Sequence, residues 1–383
     1  MRRLPLLLPL LLALCAQTWP CAPGTAWAAE GAAAMTQDVI DSLTKAPASD
    51  RGAARSGATR AGNKGPAAPT PPVAPKVSGA APSPLPGAPG AFAAPARGNA
   101  ASQSRTFLLK HDGVQRRALV VAPRGANWRP APAIIFLHGA GGSAEQAMRQ
   151  TGLAERAASA GFLAVFPEGL GARHGGQTWN TWDCCGYARD HRVDDVGFLA
   201  ALITRLKQDG LADPKRIYLA GFSNGAVLAS RFALERPGVA TAIAVVSGDL
   251  PCDAPKPQAA LPVLLVSGAH DALSRLDPTP AHPATGRYCA DHPARFQAAL
   301  WAQGMGLGKP RVSDSPNAVV REEAYGPAKS GARGDRGLVR HYILKRGGHS
   351  WPGGVNERYP YCDLPCDDMD ATGLILRFFT QMR

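Results

Sequence analysis

Between Arg216 and Ser230 the sequence reads RIYLAGFSNGAVLAS. A stretch of strand character runs straight into a helical one, with Gly221-Phe222-Ser223-Asn224-Gly225 at the junction. A serine at so sharp a reversal is crowded. Glycines two residues to either side relieve that crowding and let strand and helix approach closely. The pattern predicts a strand followed by a helix packed on it, and makes Ser223 a candidate nucleophile. The alternative reading is a glycine-rich turn with an incidental serine.

The rest of the chain from about Arg105 repeats this alternation. RTFLLKHDG and QRRALVVAPRG read as a hairpin, and APAIIFLHGAGG as a buried strand followed by a glycine-rich loop. Ser143 and Gln146 fit a capping box for the next helix. GFLAVFPEG is a further short strand. VDDVGFLAALITRLKQDG is a helix with Leu199, Leu202, Ile203 and Leu206 on one face and Gly210 as its stop. The strands RIYLAG, ATAIAVVSG, LPVLLVSG and LVRHYILKRGG follow, and DDMDATGLILRFFTQM closes the chain as a helix. Apolar strands alternating with amphipathic helices predict one α/β domain over residues 105–383. Its sheet is expected to be mostly parallel and eight-stranded, with helices on both faces.

A serine hydroxyl is almost wholly protonated at neutral pH, so it needs a base within hydrogen-bond reach and an acid to orient that base. In a sheet of this kind the order is Ser, Asp or Glu, His, each from a loop at the carboxyl end of a strand. Asp271 follows the strand LPVLLVSG, and His349 follows LVRHYILKRGG. His270 precedes the acid position on the same turn. His341 lies inside a strand, and His138 sits in the glycine-rich loop. His111, His174, His191, His282 and His292 lack a strand-end setting, and Asp277 and Asp253 are weaker acids. Donors to a developing oxyanion are expected from the Asn224 N–H and the Ala140 N–H. Asp194 and Asp195 open a helix, where the dipole and capping favour acids, so a structural role is expected.

Residues 1–28 have the form of a secretory signal. Arg2 and Arg3 precede the apolar run LPLLLPLLLAL, and Ala26–Ala28 offers small residues for cleavage before about Ala29. The run falls short of the roughly 20 residues a membrane span needs, so no stable membrane insertion is expected after cleavage. A lipid anchor at Cys15 is disfavoured by the bulky Leu14. Residues 29–104 are dominated by Ala, Pro, Gly and Ser from position 46 onward, and predict a flexible linker. One short amphipathic helix, AAAMTQDVIDSLTKA, precedes that stretch. The net charge of +13 includes +2 in the signal and +3 in the linker, and the remainder is spread without a basic block. That argues for a solvated surface and against a nucleic-acid partner. Six cysteines lie beyond the signal, an even number that suggests disulfides in an exported chain. Cys252 with Cys289 and Cys362 with Cys366 are the preferred pairs, leaving Cys184 and Cys185 adjacent to one another. Neither a C-x-x-C pair nor a spaced histidine pair accompanies them, so no metal is expected.

FLHGAGG, VDDVGFLAALI, RIYLAGFSNGA, SGAHD and GGHSWPGG occur in that order, and together they resemble the secreted polyhydroxybutyrate depolymerase and feruloyl esterase group of α/β-hydrolases. The resemblance runs from about Arg105 to the end. It implies the α/β-hydrolase fold, Ser223, Asp271 and His349 as a triad, and a hydroxyalkanoate or hydroxycinnamate ester as substrate. No separate polymer-gripping segment follows the catalytic region, which favours soluble oligomers or small aryl esters. GLGARHGGQTWNTWDCCGYARDHR and DPTPAHPATGRYC are expected at the rim. Trp179, Trp182 and Trp351 are candidates for flat apolar contacts to substrate, with core packing as the equal alternative. The expectation is an exported serine esterase working through an acyl-enzyme, with no metal or organic cofactor. Feruloyl, acetyl and peptide hydrolysis are the rivals, and a non-catalytic polymer-binding surface protein is the rival of another class.

Overall fold

A computed structural model describes residues 104–125, 130–172, 176–182, 184–251, 254–274, 276, 294–326, 338–355 and 362–382. The signal, the linker, Cys252, Asp253, Asp277, Cys289 and the histidines at 174, 282 and 292 lie outside the described residues.

The first two strands, β1 (Ser104–His111) and β2 (Val114–Val121), form the expected hairpin. Then come β3 (Ala131–Leu137), α1 (Ala144–Thr151), α2 (Leu153–Ser159), β4 (Leu163–Pro167), α3 (Gly186–Asp190) and α4 (Asp195–Gln208). The second half runs β5 (Ala212–Phe222), α5 (Asn224–Glu235), β6 (Ala242–Val246), β7 (Val263–Gly268), α6 (Ala294–Gly304), β8 (Arg311–Asp314), β9 (Val320–Tyr325), β10 (Val339–Leu344) and α7 (Ala371–Gln381). The strands make one sheet in the order β1-β2-β4-β3-β5-β6-β7-β10-β9-β8. The central run from β4 to β10 is parallel, and the pairs at both ends are antiparallel.

Alternation along the strands separates two cores. On β3, Ala133, Ile135 and Leu137 pack with residues of α4, α5 and α6, while Ile134 and Phe136 pack with α1, α2 and α7. Every residue of β3, β4, β6 and β7 is buried, as helices on both faces require. The chain thus has the α/β-hydrolase architecture expected from its sequence.

Among the described residues the sheet has ten strands rather than the expected eight. The additional pair, β8 and β9, reads RVSD and VREEAY. All of β8 is exposed, and Arg321 of β9 pairs with Asp314 across the ladder. A strand at a solvated edge needs no apolar run, so nothing in its composition announces it.

Caps behave as the sequence implies. Ser143 Oγ accepts the Gln146 N–H at 3.2 Å, and Gly210 takes a φ of 69° just past α4. Asp194 caps α4 by accepting the Gly197 N–H at 2.9 Å. Asp195 does something else. It turns inward to Arg116 at 2.8 Å, both side chains being almost fully buried, and accepts the Asn180 N–H at 2.8 Å. Its role is structural, as expected, but through burial rather than the helix dipole.

The Cys362–Cys366 pairing is not present. Cys362 is a free thiol, while Cys366 is bonded elsewhere. Residues 362–366 run without a turn, fastened by the Asp363 N–H to His349 O and by Cys366 O to the Gly353 N–H, so Cys362 does not close onto Cys366. Cys184 and Cys185 set their sulfurs against one another.

Candidate active site

Ser223 sits between β5 and α5 with φ 54° and ψ −125°, a conformation L-residues avoid. A Cβ on Gly221 would strike Gly225 O, and one on Gly225 would strike the carbonyls of Leu137 and His138. Only glycine at both positions allows α5 to start this close to β5 and β3. The Ser223 N–H donates to Val246 O at 2.9 Å, which ties the turn to β6.

The two partners come from neighbouring parallel strands. β7 ends at Gly268 and the chain presents Asp271; β10 ends at Leu344 and the chain presents His349. Ser223 Oγ is 2.9 Å from His349 Nε2. His349 Nδ1 lies 2.9 and 3.0 Å from the two Asp271 oxygens. Asp271 Oδ1 also accepts the N–H groups of Leu273 at 2.9 Å and Ser274 at 2.7 Å, which hold the carboxylate in place. The His349 backbone is gripped by Asp363, which accepts its N–H at 2.6 Å and returns an N–H to its carbonyl. Phe222 packs beside the imidazole, ring centroids 5.2 Å apart. Burial works against the imidazolium, but the charge and hydrogen bond of Asp271, with Asp363 adding, outweigh it, so the His349 pKa is raised.

The glycine-rich loop lies opposite. Gly141 N–H donates to Gln177 O and Gly142 N–H to Gly139 O; the Ala140 N–H takes no part in these bonds. His138 braces the loop from below. Its Nε2 accepts the Gly169 N–H at 3.0 Å, so its proton sits on Nδ1 and is donated to Gly139 O at 2.8 Å. Burial lowers its pKa to about 4, and it stays neutral. At the start of α5 the Asn224 N–H is likewise outside the helical bonds, Ser223 O being taken by Ala226 and Val227. The Asn224 side chain points away from the serine. It accepts the Trp179 N–H at 2.8 Å and donates to Trp179 O and Thr181 Oγ1 at 3.1 Å each, locking residues 179–181 to the turn.

Two of the three candidate tryptophans are closed to a ligand. Trp179 is fully buried, its Nε1–H donating to His138 O at 2.9 Å and its ring lying against the imidazole. Trp351 is buried against Phe136 and Phe222 with its Nε1–H on Thr372 Oγ1. Both brace the site from behind. Trp182 is partly exposed, with Arg231 over its ring.

His270 is exposed and His341 is buried in β10 against Ser267, so neither meets Ser223. Asp249 escaped the sequence reading. It follows β6 in VVSGD much as Asp271 follows β7 in LVSGAHD, a strand-end signal that was there to be used. Among the described residues, His111, Asp112 and Asp194 bring metal-ligand atoms within 4.8 Å, but at the surface, where Asp194 already caps a helix.

The esterase PHB depolymerase family model matches residues 116–281, which include Ser223 and Asp271. The NocK protein of Nocardia uniformis subsp. tsuyamanensis, named as an esterase, is 29% identical over 242 residues, covering 60% of this chain and 67% of its own. Feruloyl esterase B of Piromyces equi is 28% identical over 61% of this chain and 42% of its own. The chain is similar to the polyhydroxybutyrate depolymerase and feruloyl esterase-like family. A third relative, the bifunctional acetylxylan esterase/xylanase XynS20E of Neocallimastix patriciarum, is 29% identical over 42% of this chain. The chain spans two thirds of the first of these relatives and under half of the other two. Among solved structures, an acetyl xylan esterase from Aspergillus awamori superposes with a TM-score of 0.45 at 12% identity, over 67% of this chain and 94% of that one. Among the described residues, no helix is long and apolar enough to cross a membrane.

Proposed function

We propose that this esterase-family protein hydrolyses hydroxyalkanoate esters through an acyl-enzyme on Ser223, in a catalytic domain spanning residues 105–383. The observation that carries the reading is the unbroken chain of contacts from Ser223 Oγ through His349 to Asp271, each within 3.0 Å. His349 Nε2 takes the hydroxyl proton as Oγ bonds to the ester carbonyl carbon. The carbonyl oxygen becomes an oxyanion between the Asn224 and Ala140 N–H groups. The C–O bond to the alcohol then breaks, and the alcohol leaves with the proton from His349. Water attacks the acyl-enzyme by the same route, and the acid is released. Asp271 fixes the imidazole and balances its charge throughout. Trp182 is the remaining candidate for apolar contact to the acyl group. Residues 1–28 support export as the setting for this chemistry.

A second reading, feruloyl or acetyl esters, is favoured by the names of two relatives. Incubation of the protein with 3-hydroxybutyrate oligomers and methyl ferulate in one mixture, with mass detection of both acids, separates the two. Hydroxybutyrate alone supports the first reading and ferulate alone the second. Release of neither removes both.

The pH dependence has a defined sign. Only neutral His349 acts as base, and its pKa is raised above the ordinary 6.5, so the acid limb of kcat/KM has its midpoint above that value. A rate flat down to about pH 4 excludes this histidine as base. Stability runs the other way. The raised pKa of His349 contributes stability that is full below 6.5 and is lost as pH rises through the folded value.

His138 and His341 act oppositely. Burial lowers them to about 4 and about 3, so folding holds them neutral while the unfolded chain protonates them near 6.5. Their contribution is full above 6.5 and is lost as pH falls, at about 1.4 kcal/mol per pH unit for each. Urea melts at pH 7, 5.5 and 4.5 are expected to show this loss, with about half of it absent in His341→Gln.

A further inference from the structure

The triad leaves one acid beside it unused. After β6 the chain takes Ser247 through the left-handed region, φ 50°, and then Gly248 and Asp249. Three contacts fasten this turn. Ser247 N–H donates to Val266 O at 3.0 Å, and Gln297 Nε2 of α6 donates to Gly248 O at 2.7 Å. A Cβ on Gly248 would meet the Ala226 Cβ at 2.6 Å and Ser223 O at 3.1 Å, so the turn lies directly against the nucleophile elbow. The Asp249 carboxyl accepts the Ser274 hydroxyl at 2.7 Å. The same Ser274 gives its N–H to Asp271 Oδ1, also at 2.7 Å. One buried serine therefore joins two carboxyl groups, one of which holds the imidazole.

We propose that Asp249 is a positioning residue for the reaction, acting through Ser274 to hold the Asp271 carboxylate, and hence His349, in line with Ser223. The proposal rests on the reading of Ser223, Asp271 and His349 as the catalytic set. A hydroxyl with one acceptor this well placed has a single preferred rotamer, and it anchors residues 271–274 to the β6 end of the sheet. Without Asp249 that turn keeps its bonds to Leu344, Gly347 and His349 but loses its tie to the β6 end.

Two carboxylates so close would repel one another. Burial resolves this by pushing the Asp249 pKa up to about 8, the Ser274 hydroxyl opposing and the Asp271 charge adding. The groups around it are His349 after β10, Asp271 and Ser274 after β7, and the neutral Gln297 from α6. At neutral pH Asp249 is a neutral acceptor for Ser274, a role asparagine can fill.

The test is kcat and KM for an activated ester in Asp249→Ala, Asp249→Asn, Ser274→Ala and the Asp249→Ala/Ser274→Ala double variant. Asp249→Ala and Ser274→Ala are each expected to lower kcat by about 10- to 100-fold with KM little changed, since displacement by about an ångström costs that much. Asp249→Asn is expected to recover kcat to within about threefold. The double variant should be no worse than either single one, because both break the same link. The proposal is overturned if Asp249→Ala turns over like the parent, if Asp249→Asn fails as badly as Asp249→Ala while melting like the parent, or if the two losses multiply. Ser223→Ala in the same assay separates the readings: activity surviving there removes the triad itself, whereas its loss beside a fully active Asp249→Ala removes only the positioning role.

Discussion

Ser223→Ala is expected to lower kcat by on the order of 10⁶-fold and to leave the melting temperature within a few degrees of the parent. The contrast is the point of the prediction. The side chain contributes one hydrogen bond to His349 and no core packing, while the strained backbone beneath it stays as it is, fixed by Gly221, Gly225 and the bond to Val246. His349→Ala should cost about as much, since nucleophile and base work as one unit. Asp271→Asn should be less severe, at roughly 10⁴-fold, because the base remains but in the wrong tautomer. Mass spectrometry after treatment with a fluorophosphonate supplies the second readout: one adduct, on Ser223, in the parent and none in the alanine variant. Ester turnover that survives in Ser223→Ala would mean another nucleophile.

The largest expected loss of stability lies away from the chemistry. Asp195→Ala strands the Arg116 guanidinium in a site with almost no access to water, where it also lies 3.9 Å from the Phe198 ring centroid and donates to Glu168 O. Breaking one partner of a buried pair typically costs about 3–5 kcal/mol, because the remaining charge has no solvent to turn to. For a domain of this size that is a fall in melting temperature on the order of 10 °C. Burial pulls the Asp195 pKa up, with Arg116 and the Asn180 N–H opposing, so the pair is held by partners rather than by solvation. The same variant also releases the Asn180 N–H and with it the 179–181 segment that Asn224 grips. A drop in kcat beyond the change in stability is expected at temperatures where the variant is still folded. An apolar replacement of both members, Arg116→Met with Asp195→Leu, should recover much of the stability, and a double variant as unstable as the single one would show that the penalty is not the unpaired charge.

What could be read from the sequence follows what each feature needs from solvent. Buried strands such as IIFL and VLLV must be apolar throughout, so β3 and β7 announce themselves, and stepping past the ends of β7 and β10 leads to Asp271 and His349, which the fold brings to Ser223. A nucleophile on a tight turn requires glycine on both sides, which is a pattern few other demands produce. The edge strand β8 has no such requirement, being solvated along its length. The tryptophans were ambiguous for a related reason. An indole is large enough to serve as ligand platform or as filler, and only the hydrogen bonds of Trp179 to His138 and of Trp351 to Thr372 distinguish the two. Asp249 has the same strand-end setting as Asp271, and only its link through Ser274 sets it apart. The Cys362–Cys366 pair was misjudged because spacing of four residues says nothing about whether the segment between them bends, and residues 362–366 do not.

The placement of β8 and β9 has an engineering consequence. In sequence they fall between the acid and the base; in space they lie outside β10, beyond the line from Asp271 to His349. After β7 the chain supplies α6 to the core and the edge pair β8–β9 to the sheet, then returns on β10 beside the strand it left, registered by six residue pairs. The length of that edge pair is therefore decoupled from the distance the proton travels. New sequence could be grafted at the β8–β9 edge, or the backbone severed there, and two fragments, one bearing Ser223 and Asp271 and the other His349, would still carry the ladder by which to find each other. A hydrolase of this layout comes with a natural seam for split-enzyme reporters.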